Sequence, residues 1–178
     1  MALTLNTNSG FVTASPSADP GGASTTQVST RAFAQKDTMP AGKVKVTEIG
    51  WWCDNATQEA NFDVGIYSHD AGNNRPNALI GSSVNNAKGT GAGWKKITGL
   101  NIAVTPGTIY WIGIQLDSTA TASSIDFTNT AGVNKGDYKE TQTALPSSWG
   151  SSSGSSERLY AIYALVESSA GAGFFGLF

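Results

Sequence analysis

Pro106-Gly107-Thr108-Ile109-Tyr110-Trp111-Ile112-Gly113-Ile114-Gln115-Leu116-Asp117 is the stretch whose reading decides the fold. A Pro-Gly turn leads into residues dense in β-branched and aromatic side chains, which marks a strand with turn signals at its ends. Side chains alternate along a strand, so Tyr110, Ile112, Ile114 and Leu116 share one face; Ile109, Trp111, Gly113 and Gln115 share the other. The first face is apolar throughout and the second is half apolar, as in a central strand rather than an edge.

Composition supports the same class. The chain has 178 residues, enough for one sandwich domain with extensions. Only 13% are charged, and the common helix formers are scarce beside Gly, Ser, Thr, Ala and Asn. A net charge of -2, with Lys95-Lys96 the only adjacent basic pair, argues against a nucleic-acid partner. The single cysteine, Cys53, has no internal disulfide partner and is expected to be buried as a small apolar residue. Met1-Ala2-Leu3-Thr4-Leu5 lacks the basic and apolar regions of a secretory signal, and no stretch approaches the roughly 20 apolar residues of a membrane span.

Working outward, residues 1–28 read as an arm whose large apolar groups are Leu3, Leu5, Phe11 and Val12, too few to order it alone. Residues 29–167 read as the sandwich. A strand is expected over Lys43–Cys53, where apolar positions change phase between Val46 and Ile49; a β-bulge near Thr47-Glu48 explains the change. Ala60–Tyr67 places Phe62, Val64 and Ile66 inward. Ser68–Asn77 reads as a loop, Ala78–Ser83, Trp94–Thr98, Leu100–Val104 and Ser124–Thr128 as short strands, and 129–156 as a long connection. Arg158–Glu167 reads as one last strand, apolar on both faces. Eight or nine strands in two sheets predict an all-β, antiparallel β-sandwich of jelly-roll-like type, with an extended N-terminal arm and a short apolar C-terminal tail over 168–178.

Val64-Gly65-Ile66-Tyr67-Ser68-His69-Asp70, Arg75-Pro76-Asn77-Ala78-Leu79-Ile80-Gly81, Gly93-Trp94 and Val104-Thr105-Pro106-Gly107-Thr108-Ile109-Tyr110-Trp111 together resemble a known pattern. Non-catalytic β-sandwich modules of phage virion proteins and of bacterial surface or secreted proteins carry a similar cadence. The resemblance covers about residues 43–116. It implies the sandwich fold and a recognition or scaffolding role, and it transfers no catalytic residue.

The residues themselves offer little reaction chemistry. His69 is the only histidine and sits beside Asp70 with no nucleophile motif nearby, so it reads as a solvated loop residue. One Cys and one His cannot make a zinc site. Asp54, Asn55, Asp63, Asp70, Asn73 and Asn74 are oxygen donors for a structural calcium, but their spacing matches no calcium loop; otherwise no cofactor is expected. Glu48 and Asp63 point outward from their strands and form no evident glycosidase pair. The chain is therefore not expected to be an enzyme. Tryptophan is the stronger signal: Trp52, Trp94 and Trp149 are candidates for stacking on a glycan. Trp51 and Trp52 are neighbours on one strand, so one of them must leave the core side.

Phe174-Phe175-Gly176-Leu177-Phe178 follows a Ser/Ala/Gly spacer and reads as an apolar plug. A plug on a flexible tail suits insertion into another chain. The expectation is a phage virion structural protein of the decoration, cementing or fibre-base kind. It would assemble with copies of itself and other virion proteins through Phe174, Phe175, Leu177 and Phe178, with Leu3, Leu5 and Phe11 of the arm. The alternative is an extracellular carbohydrate-binding module that recognises a host glycan through Trp52, Trp94 and Trp149.

Overall fold

A computed structural model describes residues 2–21, 24–27, 30–55, 59–116, 124–130 and 134–169. The apolar tail with Phe174, Phe175, Leu177 and Phe178 lies outside the described residues. In chain order the strands are β1 (Gly10–Val12), β2 (Ser24–Gln27), β3 (Arg31–Thr38), β4 (Lys43–Asn55), β5 (Asn61–Asp70), β6 (Arg75–Ala87) and β7 (Gly93–Ala103). They continue with β8 (Ile109–Leu116), β9 (Ser124–Asn129), β10 (Gly136–Glu140), β11 (Gly154–Ser156), β12 (Arg158–Tyr160) and β13 (Ile162–Ser168). No helix occurs among the described residues, and so none long and apolar enough to cross a membrane.

The strands make two sheets packed face to face. The first runs β1-β13-β4-β9-β12, with β7 also paired to β4 and β2 to β9; the second runs β11-β10-β3-β8-β5-β6. All pairs are antiparallel except β1 with β13, where Phe11 lies opposite Ala164. β8 is central in the second sheet, between β3 and β5, as its two apolar faces require. Its Tyr110, Ile112, Ile114 and Leu116 enter the inter-sheet core with Phe62, Val64 and Ile66 of β5 and Val46, Ile49, Trp51 and Cys53 of β4. The expected bulge is present: Val46 pairs with Val166 and Glu48 with Leu165, leaving Thr47 extra.

Several boundaries differ from those the sequence suggests. The arm is folded onto its own sandwich: Leu3 and Phe11 are buried in the inter-sheet core, and Leu5 is half-buried. Leu3 and Phe11 are thus taken up by their own domain and present no surface to a neighbour. The loop expected over Ser68–Asn77 shrinks to a tight turn at 71–74, because Asp70 pairs with Arg75 and His69 with Pro76 across a hairpin. The two strands expected over Trp94–Thr98 and Leu100–Val104 are one, β7, which ends at Ala103 and has an irregularity at Gly99 (φ 74). The last strand is broken at Ala161, whose N–H donates to Asp126 O and whose C=O accepts from Trp52 N, at 2.9 Å each. Among the described residues of 129–156 are two short strands, β10 and β11, and a covering segment.

That segment explains the second face of β8. Residues 141–149 lie over the outside of the second sheet, where Leu145 and Trp149 pack with Ala32, Ala34, Tyr67 and Trp111 in a second buried cluster. Buried polar groups fasten it. Asp63 accepts from Leu145 N at 3.1 Å, and Gln115 Nε2 donates to Gln142 O at 2.9 Å. Asp137 accepts from Trp149 Nε1 at 2.9 Å and from Ser152 Oγ at 2.8 Å. Asp63 and Gln115 thus point outward from the inter-sheet core, as alternation requires, and are nevertheless buried.

Two predictions concern this packing. Ile112→Ala should destabilise the fold by about 2–5 kcal/mol as a large-to-small core change. Gln115→Ala should cost about 1 kcal/mol through its lost bond to the covering segment. Urea unfolding of each variant against the parent measures both. Burial holds Asp137 protonated up to about 6, well above the ordinary 3.8, against the opposing pull of its Ser152 and Trp149 bonds. The folded state binds this proton more tightly than the unfolded chain does. Its contribution to stability is therefore greatest below about 4 and is lost as pH rises through about 6. Asp137→Asn should flatten the fall in melting temperature between pH 4 and 7 relative to the parent.

Candidate functional site

The bulge at Thr47 sets up a distinct surface on the outside of the first sheet. Beyond it Ile49, Trp51 and Cys53 turn inward, so Glu48, Gly50 and Trp52 turn outward. Register then fixes their neighbours. On β7, Trp94 lies opposite Trp52, Lys96 opposite Gly50 and Thr98 opposite Glu48. On β13, Tyr163 lies opposite Gly50 and Leu165 opposite Glu48. Gly50 is required by close approach: a Cβ there would stand 2.6 Å from Tyr163 Cε1. With no side chain in the way, the Tyr163 ring lies across β4 and meets Trp94 edge-on at 5.1 Å, and Trp94 meets Trp52 edge-on at 5.6 Å. Edge-to-face pairs at such separations are favourable beyond their buried area.

Polar groups lock this row of rings. Tyr163 Oη donates to Glu48 Oε1, and Ser15 Oγ donates to the same oxygen at 2.6 Å. Lys96 Nζ donates to Ser15 Oγ at 2.6 Å and to Pro16 O at 2.5 Å, and lies 5.9 Å from the Tyr163 ring centroid. Burial first, and then the bond to the Glu48 carboxylate, push the Tyr163 hydroxyl well above its ordinary pKa, so it stays a donor. The N-terminal segment thus forms one rim of the surface, and Trp94 Nε1 donates to Ala18 O at 2.8 Å on that rim.

Tyr163 is fully buried beneath this arrangement, whereas Trp52 and Trp94 are half-buried. The Nε1 atom of Trp52 is shielded from solvent, and that of Trp94 is engaged by Ala18. What Trp52 shows to solvent is therefore carbon, and Trp94 has its one strong donor occupied. Further along the same face, past Gly50 and Lys96, the irregularity of β7 at Gly99 opens a groove of about 520 Å³, lined by Lys45, Glu48, Thr98, Asn101, Leu165 and Glu167. Glu48 belongs to both places. The surface joins a flat apolar platform to a groove of mixed lining, in which Leu100 and Leu165 stand among the hydrogen-bonding groups, and the groove's volume lies in the range of small-molecule sites.

Of the three tryptophans expected to bind a glycan, Trp52 and Trp94 are brought together and Trp149 is not. Trp149 is fully buried under the second sheet, where it packs edge-on to Tyr67 at 5.1 Å. His69 is no solvated loop residue: it is half-buried on β5 and accepts from Trp111 Nε1 at 3.0 Å, with burial first and Lys36 second lowering its pKa. Among the proposed calcium donors, Asp63 is occupied by Asn85 N and Leu145 N, and Asp70 by Gly72 N, Asn73 N and Arg75. Among the described residues no three His, Cys, Asp or Glu side chains are grouped to hold a metal. Glu48, Gly50, Lys96 and Tyr163 escape the sequence reading as site residues. A signal for Gly50 and Tyr163 was present in the bulge parity of β4 and the second apolar face of the last strand.

No protein-family model matches the sequence, and no curated protein matches it. Solved structures do share the fold. A structure of the cysteine protease and lectin-like domains of Cwp84, a surface-layer-associated protein of Clostridium difficile, aligns at 12% identity with a TM-score of 0.56, over 82% of this chain and 36% of that one. A second structure, of the clostridial cysteine protease Cwp84 after propeptide cleavage, aligns at 13% identity with a TM-score of 0.50, over 68% of this chain and 32% of that one. This chain thus spans about a third of the length of each, and at these identities the likeness is one of fold: a β-sandwich module also found within a bacterial surface protein.

Proposed function

We propose that this chain is an extracellular carbohydrate-binding module, with no catalytic step of its own, and that the Trp52–Trp94 face is its glycan platform. The observation that carries the reading is the state of the two indoles: adjacent, half-exposed, their N–H groups turned to the protein, on the same face as a groove with hydrogen-bonding groups. A pyranose ring has an apolar C–H face and a rim of hydroxyls. The C–H face of one sugar unit stacks on the indole carbon surface, while Thr98, Asn101 and Glu167, four to seven residues further along the strands, reach the hydroxyls of units further along the same glycan. Row packing against Tyr163 and the rim bond from Trp94 to Ala18 hold the platform before any sugar arrives, which lowers the ordering cost of binding. The lectin-like domain carried by a structure of the same fold supports this reading. The virion reading depends on the tail outside the described residues and has no comparable observation behind it.

Retention on a panel of immobilised neutral polysaccharides tests the proposal. The parent should be retained on at least one of them. Trp94→Ala and Trp52→Ala should each weaken that retention at least tenfold while unfolding as cooperatively as the parent. A parent that binds nothing across the panel, or variants retained as well as the parent, would overturn it. A subtler variant tests the mechanism: Gly50→Ala should destabilise by about 1–3 kcal/mol by displacing the Tyr163 ring, and should weaken the same retention without touching either indole.

A further inference from the structure

A second concavity lies at the opposite kind of place, in the open end of the sandwich where the inner faces of the two sheets part. Arg31 and Phe33 of β3, Tyr138 and Glu140 of β10 and Arg158 of β12 line a cleft of about 390 Å³, with Ser155 and Ser156 of β11 at its mouth. The register explains why they meet. Tyr138 pairs with Phe33 and Glu140 with Arg31, so all four share the inward face of the second sheet. Arg158 stands two residues before the core residue Tyr160 on β12, and faces them from the first sheet.

The charges of the cleft do not cancel. Arg31 Nη2 is paired with Glu140 Oε1 at 3.0 Å. Arg158 has its guanidinium carbon 4.0 Å from the Phe127 ring centroid, a cation–π contact, and donates a hydrogen bond to the Tyr160 hydroxyl. Among the described residues no carboxylate forms an ion pair with Arg158. A planar, oriented guanidinium without an anion is suited to bidentate pairing with a carboxylate. The rest of the lining is not that of a simple anion hole. Tyr138, stacked on Phe33 at 6.2 Å and 28°, supplies a flat apolar wall. Ser156, opposite Gly136 on the same inward face, supplies a hydroxyl that also meets Tyr160 Oη at 3.1 Å, whereas Ser155, opposite Asp137, lines the mouth with its side chain on the other face.

We propose that this cleft is a binding site separate from the Trp52–Trp94 face, and that it takes an acidic sugar whose carboxylate pairs with Arg158 while its ring lies against Tyr138. The sugar hydroxyls meet the Ser156 hydroxyl, which a peptide carboxylate would leave unmatched. The chain carries a net charge of -2, so attraction of an anion here is local to the cleft and weakens with added salt.

Titration of the full chain with glucuronate, followed by backbone amide shifts in NMR, tests the assignment. Shifts should concentrate at Tyr138, Ser155, Ser156 and Arg158 and shrink at high salt. Methyl glucoside, which lacks the carboxylate, and tri-glutamate, which lacks the ring, should each bind at least tenfold more weakly. Arg158→Gln should weaken glucuronate at least tenfold, and Arg158→Lys less than that. Glu140→Gln, at an exposed position that leaves the fold undisturbed, should tighten glucuronate several-fold by removing the one negative charge of the cleft. Trp94→Ala should leave all of this unchanged, so failure of the platform and failure of the cleft are told apart. Equal binding of methyl glucoside would show that the carboxylate is not read. Equal binding of tri-glutamate would show that the sugar is not read. Either result, or a Glu140→Gln protein with unchanged or weaker glucuronate affinity, overturns the proposal.

Discussion

A strand that is apolar on both faces cannot be satisfied by two layers alone, and β8 is such a strand. Its inward face is covered by the first sheet, but Trp111 on its outward face would stand in water without a third layer. Residues 141–149 supply that layer. They bring only two large apolar side chains, Leu145 and Trp149, so polar anchors must do the remaining work of ordering them. The anchors are buried carboxylates: Asp63 for the backbone of Leu145, and Asp137 for the indole of Trp149 and the hydroxyl of Ser152. A buried carboxylate is tolerable when hydrogen bonds surround it, and costly when they are lost.

The first sheet meets the same problem and solves it only in part. Beyond the bulge, its outer face carries Trp52, Trp94, Tyr163 and Leu165. The N-terminal segment reaches Tyr163, Glu48 and Lys96 through Ser15 and Pro16, and the edge of Trp94 through Ala18. It stops there, and two indoles remain half uncovered. The covered part of the face is rigid packing, and the uncovered part is the candidate platform. The difference between a stability device and a binding surface is here a matter of how far one segment extends.

Parity carried most of what the sequence disclosed. Alternation placed Tyr110, Ile112, Ile114 and Leu116 in the core, and the phase change across Thr47 located the bulge. The same alternation required one of Trp51 and Trp52 to leave the core, and Trp52 does. Alternation fails where a segment has no strand partner. Trp149 sits in a Ser- and Pro-rich stretch with no period, and its burial depends on Asp137, a residue twelve positions away that no local pattern connects to it. The N-terminal residues read as an arm for a similar reason. Leu3 and Phe11 are few, but their packing is reinforced by bonds to a distant carboxylate that hydropathy does not register. Turn residues misled in the opposite direction, since Asn and Gly at 72–74 mark only the tip of a hairpin whose strands run through His69 and Pro76.

The candidate platform is positioned from the far side of the core. β3 sends two polar side chains into the space between the sheets, where an unpaired polar group would be destabilising. Each accepts a backbone N–H from another segment. Gln35 Oε1 accepts from Tyr160 N at 2.9 Å, next to the break at Ala161, and thereby fixes the point from which β13 starts. Three residues on stands Tyr163, the ring beneath the tryptophans. Asp37 Oδ2 accepts from Phe11 N at 2.8 Å and from Asn6 Nδ2 at 2.7 Å, which fixes β1. Gly10, at φ 73, permits this approach, since a Cβ there would stand 2.4 Å from the same carboxylate oxygen. Four residues beyond Phe11 stands Ser15, which bridges Glu48 and Lys96. Two inward polar residues on one strand of the second sheet therefore set the register of both segments that complete the aromatic face of the first. This gives Gln35 and Asp37 a reason to be polar in an apolar interior: burial alone would hold the sheets together, but only directional bonds place Tyr163 and Ser15 to within the tolerance that a preorganised binding surface requires.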